Sequence, residues 1–315
     1  MFINQKNIYM LVSIIIPTYK RSDSLLETID SVLKQTYSAI EIIVVDDNGL
    51  GNEFQKATQC KLQNLIDENK IIYIPHKVNK NGSAARNTGF RASTGEYVNF
   101  LDDDDILMPE KIERQVKFLE TQSSGIGATY CNSQLKFRTR FSGRIKIINT
   151  NYTAEGNLIR EYLETEMHFN TSSLLFRRSV IEELQGFDES YRRHQDYELL
   201  LRYFKKWKIK CTPGPPLLLF DMLKDRGNVP NLDNLMAIKI KFLEQFKQDL
   251  TNWGLWNEIN HNWWLICGIQ AIDSKRFSLG KKLLVKALQF KKYNSHEYIS
   301  ILKAFLRTMI KFYKH

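Results

Sequence analysis

Four times within about 110 residues, a short apolar run gives way to a segment of helical periodicity. Residues 11–16 read as a buried strand, β-branched and bounded by Pro17. Residues 22–35 read as a helix: Leu25, Leu26, Ile29, Val32 and Leu33 recur at near-helical spacing, and Ser22 or Asp23 can cap its start. A strand over 41–47 ends in two acids, and a polar helix follows over 53–68. A third strand covers 71–74, and a helix opening at 81–83 carries Ala84, Ala85, Arg86 and Asn87. The fourth strand covers 97–101, and Pro109 sits at the start of a helix running to about residue 120, where its missing N–H costs nothing. Such alternation predicts an α/β domain with a mainly parallel sheet and helices on both faces.

Open sheets of this kind bind ligands at the carboxyl edge of their strands. The ends of strands one, two and four bring Pro17 with Tyr19, Asp46 with Asp47, and the four consecutive acids Asp102 to Asp105 to that edge. Four adjacent carboxylates repel one another and are tolerable in solvent or around a divalent cation. Magnesium and manganese prefer oxygen ligands and often share them with substrate phosphates. A solvated acidic loop is the plain alternative, and the convergence of three strand ends favours the metal–diphosphate reading.

Beyond residue 125 the rhythm changes. Strands are expected at 126–131, 171–176, 208–211 and 217–220, with helices at 179–184 and 196–207 and a hairpin or mobile loop over 132–150. From about residue 231 the pattern is helical to the end, so a domain over 1–228 and a helical region over 229–315 are expected. The formal net charge of +10 is concentrated there: residues 275–315 hold eleven Lys or Arg and one acid, Glu297, and the rest is close to neutral. Leu302, Phe305, Leu306, Met309 and Ile310 share one face of the last helix, with Lys303, Arg307 and Lys311 on another. A basic amphipathic helix suits an anionic membrane surface or a partner; a solvated helix packed on the domain fits equally well. Nucleic acid is disfavoured, because no aromatic stacking motif or nucleic-acid module accompanies the charge.

The four cysteines are widely spaced, without a C-x-x-C pair, and free buried thiols in a reducing compartment are expected. The early apolar run is too short for a signal core or a membrane span. A cytoplasmic protein is expected, peripheral at the inner face of the membrane if the basic region binds there.

Five motifs now stand in order: residues 12–21 (Val-Ser-Ile-Ile-Ile-Pro-Thr-Tyr-Lys-Arg), 44–48 (Val-Val-Asp-Asp-Asn), 82–89 (Gly-Ser-Ala-Ala-Arg-Asn-Thr-Gly), 95–105 (ending in the four acids), and 186–189 (Gly-Phe-Asp-Glu) followed by 195–198 (Gln-Asp-Tyr-Glu). Together they resemble a family 2 glycosyltransferase of the GT-A fold, over about residues 10–222. The resemblance implies an inverting transfer of a sugar from a nucleotide-diphosphate sugar, by preference UDP-linked, to an acceptor hydroxyl. A glycan or a polyprenyl-diphosphate-linked oligosaccharide would be the acceptor. It implies a divalent cation, Mn2+ or Mg2+, on Asp104, with Asp102 and Asp103 near the ribose, the metal or its waters. Pro17, Tyr19 and Asp47 match the positions that hold the base, and Arg86 matches a partner for the diphosphate or the acids. Asp196 matches the catalytic base, with Glu198 a weaker rival, and Gln195 stands where many relatives carry Glu. Arg226 is a candidate for the phosphates. Each assignment has a plain alternative: strand-end packing for Tyr19, a surface ion pair for Arg86, a helix cap for Asp196, and turn formation for Asp46 and Asp188.

Two other classes compete. A sugar nucleotidyltransferase would carry a Gly-rich loop after the first strand, where Pro17 and Tyr19 stand instead. A catalytically silent relative acting as a glycan- or membrane-binding scaffold would not need Asp104 and Asp196.

Overall fold

The computed structural model describes residues 10–139, 143–164, 170–223 and 231–312. These form two compact units, one of residues 10–159 and 170–223, the other of 160–164 and 231–312. The first unit opens with β1 (Val12–Thr18), α1 (Ser22–Leu33), β2 (Ile40–Asp46), α2 (Glu53–Asp67), β3 (Ile72–Pro75), α3 (Gly82–Ala92) and β4 (Tyr97–Phe100). Then come β5 (Asp105–Leu107), α4 (Lys111–Glu120), β6 (Ile126–Tyr130), β7 (Ser133–Arg138) and β8 (Ile145–Asn149). In chain order a short α5 (Ile159–Leu163), nearly all of it in the second unit, is followed in the first unit by a 3-10 turn (Thr171–Ser173), β9 (Leu174–Arg177), α6 (Arg178–Glu183), α7 (Gln195–Phe204), β10 (Lys208–Cys211) and β11 (Leu218–Asp221).

The large sheet runs β10-β6-β9-β4-β1-β2-β3 among the described residues. Its pairs β1–β2, β1–β4, β2–β3 and β6–β10 are parallel, while β9 is antiparallel to both β4 and β6. The two faces of β1 explain the helices on either side. Val12, Ile14 and Ile16 share a buried core with Leu25 and Ile29 of α1 and Ile112 and Val116 of α4. Ile15 points the other way, onto α3, as alternation along a strand requires. There α3 approaches so closely that a Cβ on Gly89 would lie 2.4 Å from Ile15 Cγ2.

The acidic run differs from expectation at its end. Asp105 opens β5, which pairs antiparallel with β11 in a second sheet of order β5-β11-β7-β8. Met108 N–H continues this pairing to Leu217 O at 2.9 Å, so α4 starts only at Lys111 and Pro109 lies before the helix rather than at its first turn. Within residues 132–150, β7 and β8 pair antiparallel in that sheet, and 171–173 are a 3-10 turn rather than strand. Helix α1 has Arg21 at its cap position, without a side-chain cap; Ser22 and Asp23 lie inside the first turn. Cys131, Cys211 and Cys267 are buried free thiols, whereas Cys60 is exposed on α2.

The second unit is helical: α8 (Leu232–Gln245), α9 (Lys247–Asn252), α10 (Trp256–Asp273), α11 (Phe277–Leu288) and α12 (Ser295–Phe312). Trp263, Trp264, Cys267, Ala271 and Ile272 of α10 are buried. Helix α11 crosses α10 at two glycines; a Cβ on Gly280 would meet Ile272 Cγ1 at 2.8 Å, and one on Gly268 would meet Leu284 Cδ2 at 2.8 Å. A reciprocal capping box starts α12: Asn294 Oδ1 accepts Glu297 N–H at 2.9 Å and Glu297 Oε2 accepts Asn294 N–H at 2.7 Å. No described helix is long and apolar enough to cross a membrane.

Candidate active site

The parallel register carries the ends of β1, β2 and β4 to one edge. Thr18 lies opposite Asp46, Asp47 N–H bonds Thr18 O at 2.9 Å, and Leu101 N–H bonds Ile15 O at 2.9 Å. Beyond β4 the chain turns tightly, with Asp105 N–H donating to Asp102 O at 3.2 Å. That turn brings one carboxylate oxygen each from Asp102, Asp104 and Asp105 within 4.8 Å of one another. A three-oxygen carboxylate donor set suits a hard divalent cation such as Mg2+ or Mn2+.

Asp103, between them in sequence, is not part of this group. Thr18 Oγ1 donates to its Oδ2 at 2.7 Å, and Arg21 Nη1 donates to its Oδ1 at 3.0 Å. The same Arg21 nitrogen reaches Asp104 Oδ2 at 3.1 Å. Burial pushes the Asp103 carboxyl up to about 6, against the pull of Arg21 and Thr18. Burial also opposes the charge of Arg21, yet Asp103 and Asp104 hold its guanidinium above the usual range. Neither Thr18 nor Arg21 received a role from the sequence, although both lie inside the first motif.

Arg86, in the first half of α3, spans two parts of the site. Its Nη2 donates to Asp102 Oδ1 at 2.5 Å and its Nη1 to Gln195 Oε1 at 2.6 Å. Gln195 is the first residue of α7, and Asp196 follows it in the first turn. The arginine thus ties the acidic turn to the helix that carries Asp196. Glu198, the rival base, is buried and held by Arg202 through two bonds of 2.6 Å. Asn87, beside Arg86, clips the loop before α7: it donates to Phe187 O at 2.8 Å and accepts Phe187 N–H at 2.8 Å. Gly186 has φ +71° and leaves no room for a Cβ, which would lie 2.4 Å from Asn87 Oδ1. Asp188 accepts Ser190 N–H at 2.8 Å and closes a turn there.

Asp47 is placed differently. Its Oδ1 accepts from His76 Nδ1 at 2.7 Å and Lys80 N–H at 2.8 Å; its Oδ2 accepts from Asn79 Nδ2 and Asn81 N–H, both at 2.8 Å. Four donors fill the acceptor capacity of a carboxylate. Asp47 therefore anchors the β3–α3 loop, and a contact to a base would require one of these bonds to yield. Asp46 accepts Asn48 N–H at 2.8 Å and the Tyr73 hydroxyl at 2.6 Å, and burial raises its pKa. Pro17 is near the end of β1, and Tyr19, just past it, is 40% exposed. Arg226 lies outside the described residues.

Behind the acids, Lys111 is fully buried, and burial pulls its ammonium down to about 8, against the opposing pull of nearby Cys131 and Asp105. Ser172 Oγ accepts Asp102 N–H at 3.0 Å, and Asn170 Nδ2 donates to Asp105 Oδ2 at 3.2 Å. These supports come from the segment before β9, far away in the chain, and no local pattern marks them.

Residues 13–185 match the family model described as Glycosyl transferase family 2. The amylovoran biosynthesis glycosyltransferase AmsB of Erwinia amylovora is 30% identical over 218 residues, which span 69% of this chain and 71% of that protein. WfaP of Escherichia coli, a UDP-Glc:alpha-D-GlcNAc-diphosphoundecaprenol beta-1,3-glucosyltransferase, is 38% identical over 112 residues, 36% of this chain and 42% of its own. The solved structure of the mannosyltransferase PcManGT from Pyrobaculum calidifontis, in complex with GDP-Man and Mn2+, superposes with a TM-score of 0.57 at 15% identity, over 97% of this chain and 87% of that one. At that identity the likeness is one of fold.

Proposed function

The chain belongs to glycosyl transferase family 2, and from that premise we propose an inverting, metal-assisted transfer of a sugar from a UDP-sugar to a hydroxyl of a lipid-linked glycan. That it is a glycosyltransferase using a nucleotide-sugar donor follows from the family. The finer reading rests on one observation: three carboxylate oxygens converge within 4.8 Å, and Arg86 joins Asp102 of that group to the residue preceding Asp196.

Asp102, Asp104 and Asp105 would hold the cation, with Asp104 its principal ligand. When bound, such a cation neutralises the charge that develops on a departing diphosphate. The remaining steps belong to the chain's own residues. Pro17 and Tyr19 border the base. Asp103 holds Arg21 beside Asp104, and Arg86 faces the phosphates. Asp196 takes the proton of the acceptor hydroxyl as its oxygen bonds to the anomeric carbon and the bond to the diphosphate oxygen breaks. Glu198 is held by Arg202 through two bonds, which disfavours it as the base. Asp47 acts one step back, by fixing the β3–α3 loop. The catalytic domain would then span residues 1–228. A diphosphate-linked polyprenol acceptor is the class that the name of WfaP carries.

Isothermal titration of uridine, thymidine and guanosine diphosphates, with and without Mn2+, tests this reading. Manganese-dependent binding of uridine diphosphate, lost in Asp104→Ala, is expected. If no nucleotide binds the wild type under either condition, the reading falls and a silent scaffold takes its place.

A further inference from the structure

We propose that the outward face of α12, continued by α11, is a docking surface for an anionic lipid bilayer. A helix on a folded unit normally turns its apolar stripe inward. In α12 the relation is reversed. Ala304 and Thr308 are buried, and Thr308 Oγ1 bonds Ile272 O of α10 at 3.1 Å, so a small and partly polar face meets the neighbouring helix. Tyr298, Ile299, Leu302, Phe305 and Leu306 are exposed, Leu302 to 58%. At 3.6 residues per turn they fall within an arc of roughly 120°. The patch does not stop at this helix. Phe277 of α11 stacks on Phe305 with ring centroids 6.1 Å apart and planes within 9°, and both rings stay partly exposed. Val285 and Leu288 of α11 are exposed as well.

Charge selects the occupant. Lys281, Lys282, Lys292 and Lys303 are exposed on or between the same two helices. Glu297, the only acid of residues 275–315, is turned inward, with Oε1 3.1 Å from Nε2 of the buried His261. A second copy of this face would set lysines against lysines. A bilayer bearing anionic headgroups accepts both parts: the apolar side chains enter the boundary of the acyl region, and the lysine stems lie along it with their ammonium groups among the phosphates. The inference concerns α11 and α12 alone and does not depend on the transfer reaction.

The test is co-sedimentation of the full chain with two kinds of vesicle, phosphatidylcholine alone and equimolar phosphatidylcholine with phosphatidylglycerol. The wild type is expected to bind the anionic vesicles, more weakly as salt rises, and not the neutral ones. The double variant Leu302→Ser, Phe305→Ser changes exposed positions, and its melting temperature verifies that it folds. It is expected to lose at least about tenfold in partitioning. The lysine variant Lys281→Gln, Lys282→Gln provides a second, milder readout with a reduced salt dependence. Absence of wild-type binding to anionic vesicles, or equal binding by wild type and double variant, overturns the proposal. So does a wild-type dimer that the double variant abolishes, which would assign the face to a second copy. Nucleotide titration on the same samples keeps the two readings apart, because its failure leaves the vesicle result standing.

Discussion

Strands β2 and β4 both run from a buried apolar segment into acids at the same edge of the sheet, and their acids meet opposite fates. Asp47 accepts four hydrogen bonds from His76, Asn79, Lys80 and Asn81, all on the loop that leads to α3. The acids after β4 have oxygens that converge on a common point, and the cations that reach Asp102 and Asp104 are arginines from other elements. A carboxylate saturated by the side-chain and backbone donors of a single loop is a structural anchor. One whose nearest charges are long guanidinium side chains can exchange them for a ligand. Position at the carboxyl edge therefore makes an acid available to the site, and the local supply of N–H groups determines whether it serves there.

The largest effect expected from this contrast is on the acids after β4. Asp104→Ala should cut glycosyl transfer by roughly 10^3-fold, the upper end of the range for loss of a preorganised charge-stabilising group. Its urea midpoint should stay near that of the wild type, because removing one of four crowded acids relieves repulsion. A large loss of stability instead would make Asp104 an anchor like Asp47 and erase the distinction. Asp196→Asn should lower kcat by roughly 10^2–10^3-fold while leaving nucleotide affinity unchanged, as removal of a general base does. A weakened nucleotide affinity would move Asp196 from the acceptor side to the donor side.

Asp47→Asn should act mainly on folding. An amide offers one acceptor oxygen where the carboxylate offers two, so at least two donors among His76, Asn79 and the N–H groups of Lys80 and Asn81 lose their partner. A destabilisation of about 3 kcal/mol is expected from urea unfolding, given the worth of bonds to a buried charged acceptor. Unchanged stability with lost uridine diphosphate affinity would return Asp47 to the base-binding role.

The smallest effect is a pH dependence at Asp103. Burial holds its folded-state pKa near 6, above the unfolded value, so the folded chain binds more protons between about pH 4 and 6. Stability contributed by this group is present at the low end of that window and is lost as pH rises through about 6, by at most ~3 kcal/mol. Urea midpoints at the two ends of the window, with chelator present, should fall with rising pH in the wild type more than in Asp103→Asn. Equal slopes would mean that Arg21 and Thr18 fully compensate the buried charge.

Much of this molecule is written in local pattern. The alternation of β-branched runs with helical periodicity predicted β1 to β4 and α1 to α4 to within a few residues, because β1, β2 and β4 are apolar enough to be largely buried on both faces. The order of the motifs, through its resemblance to family 2 glycosyltransferases, brought Arg86, Asp102, Asp104 and Asp196 into consideration. What the pattern missed depends on residues distant in sequence. Asp105 opens a strand only because β11, over one hundred positions away, supplies its partner. Thr18 and Arg21 claim Asp103, Asn87 secures Phe187, and the β3–α3 loop saturates Asp47; each is a hydrogen bond whose second half no window of sequence contains. The apolar stripe of α12 is legible as a periodicity, and periodicity carries no information about direction. Whether that stripe faces a core or solvent was decided by α10, whose crossing with α12 takes the small face of Ala304 and Thr308 and leaves Leu302 and Phe305 outside.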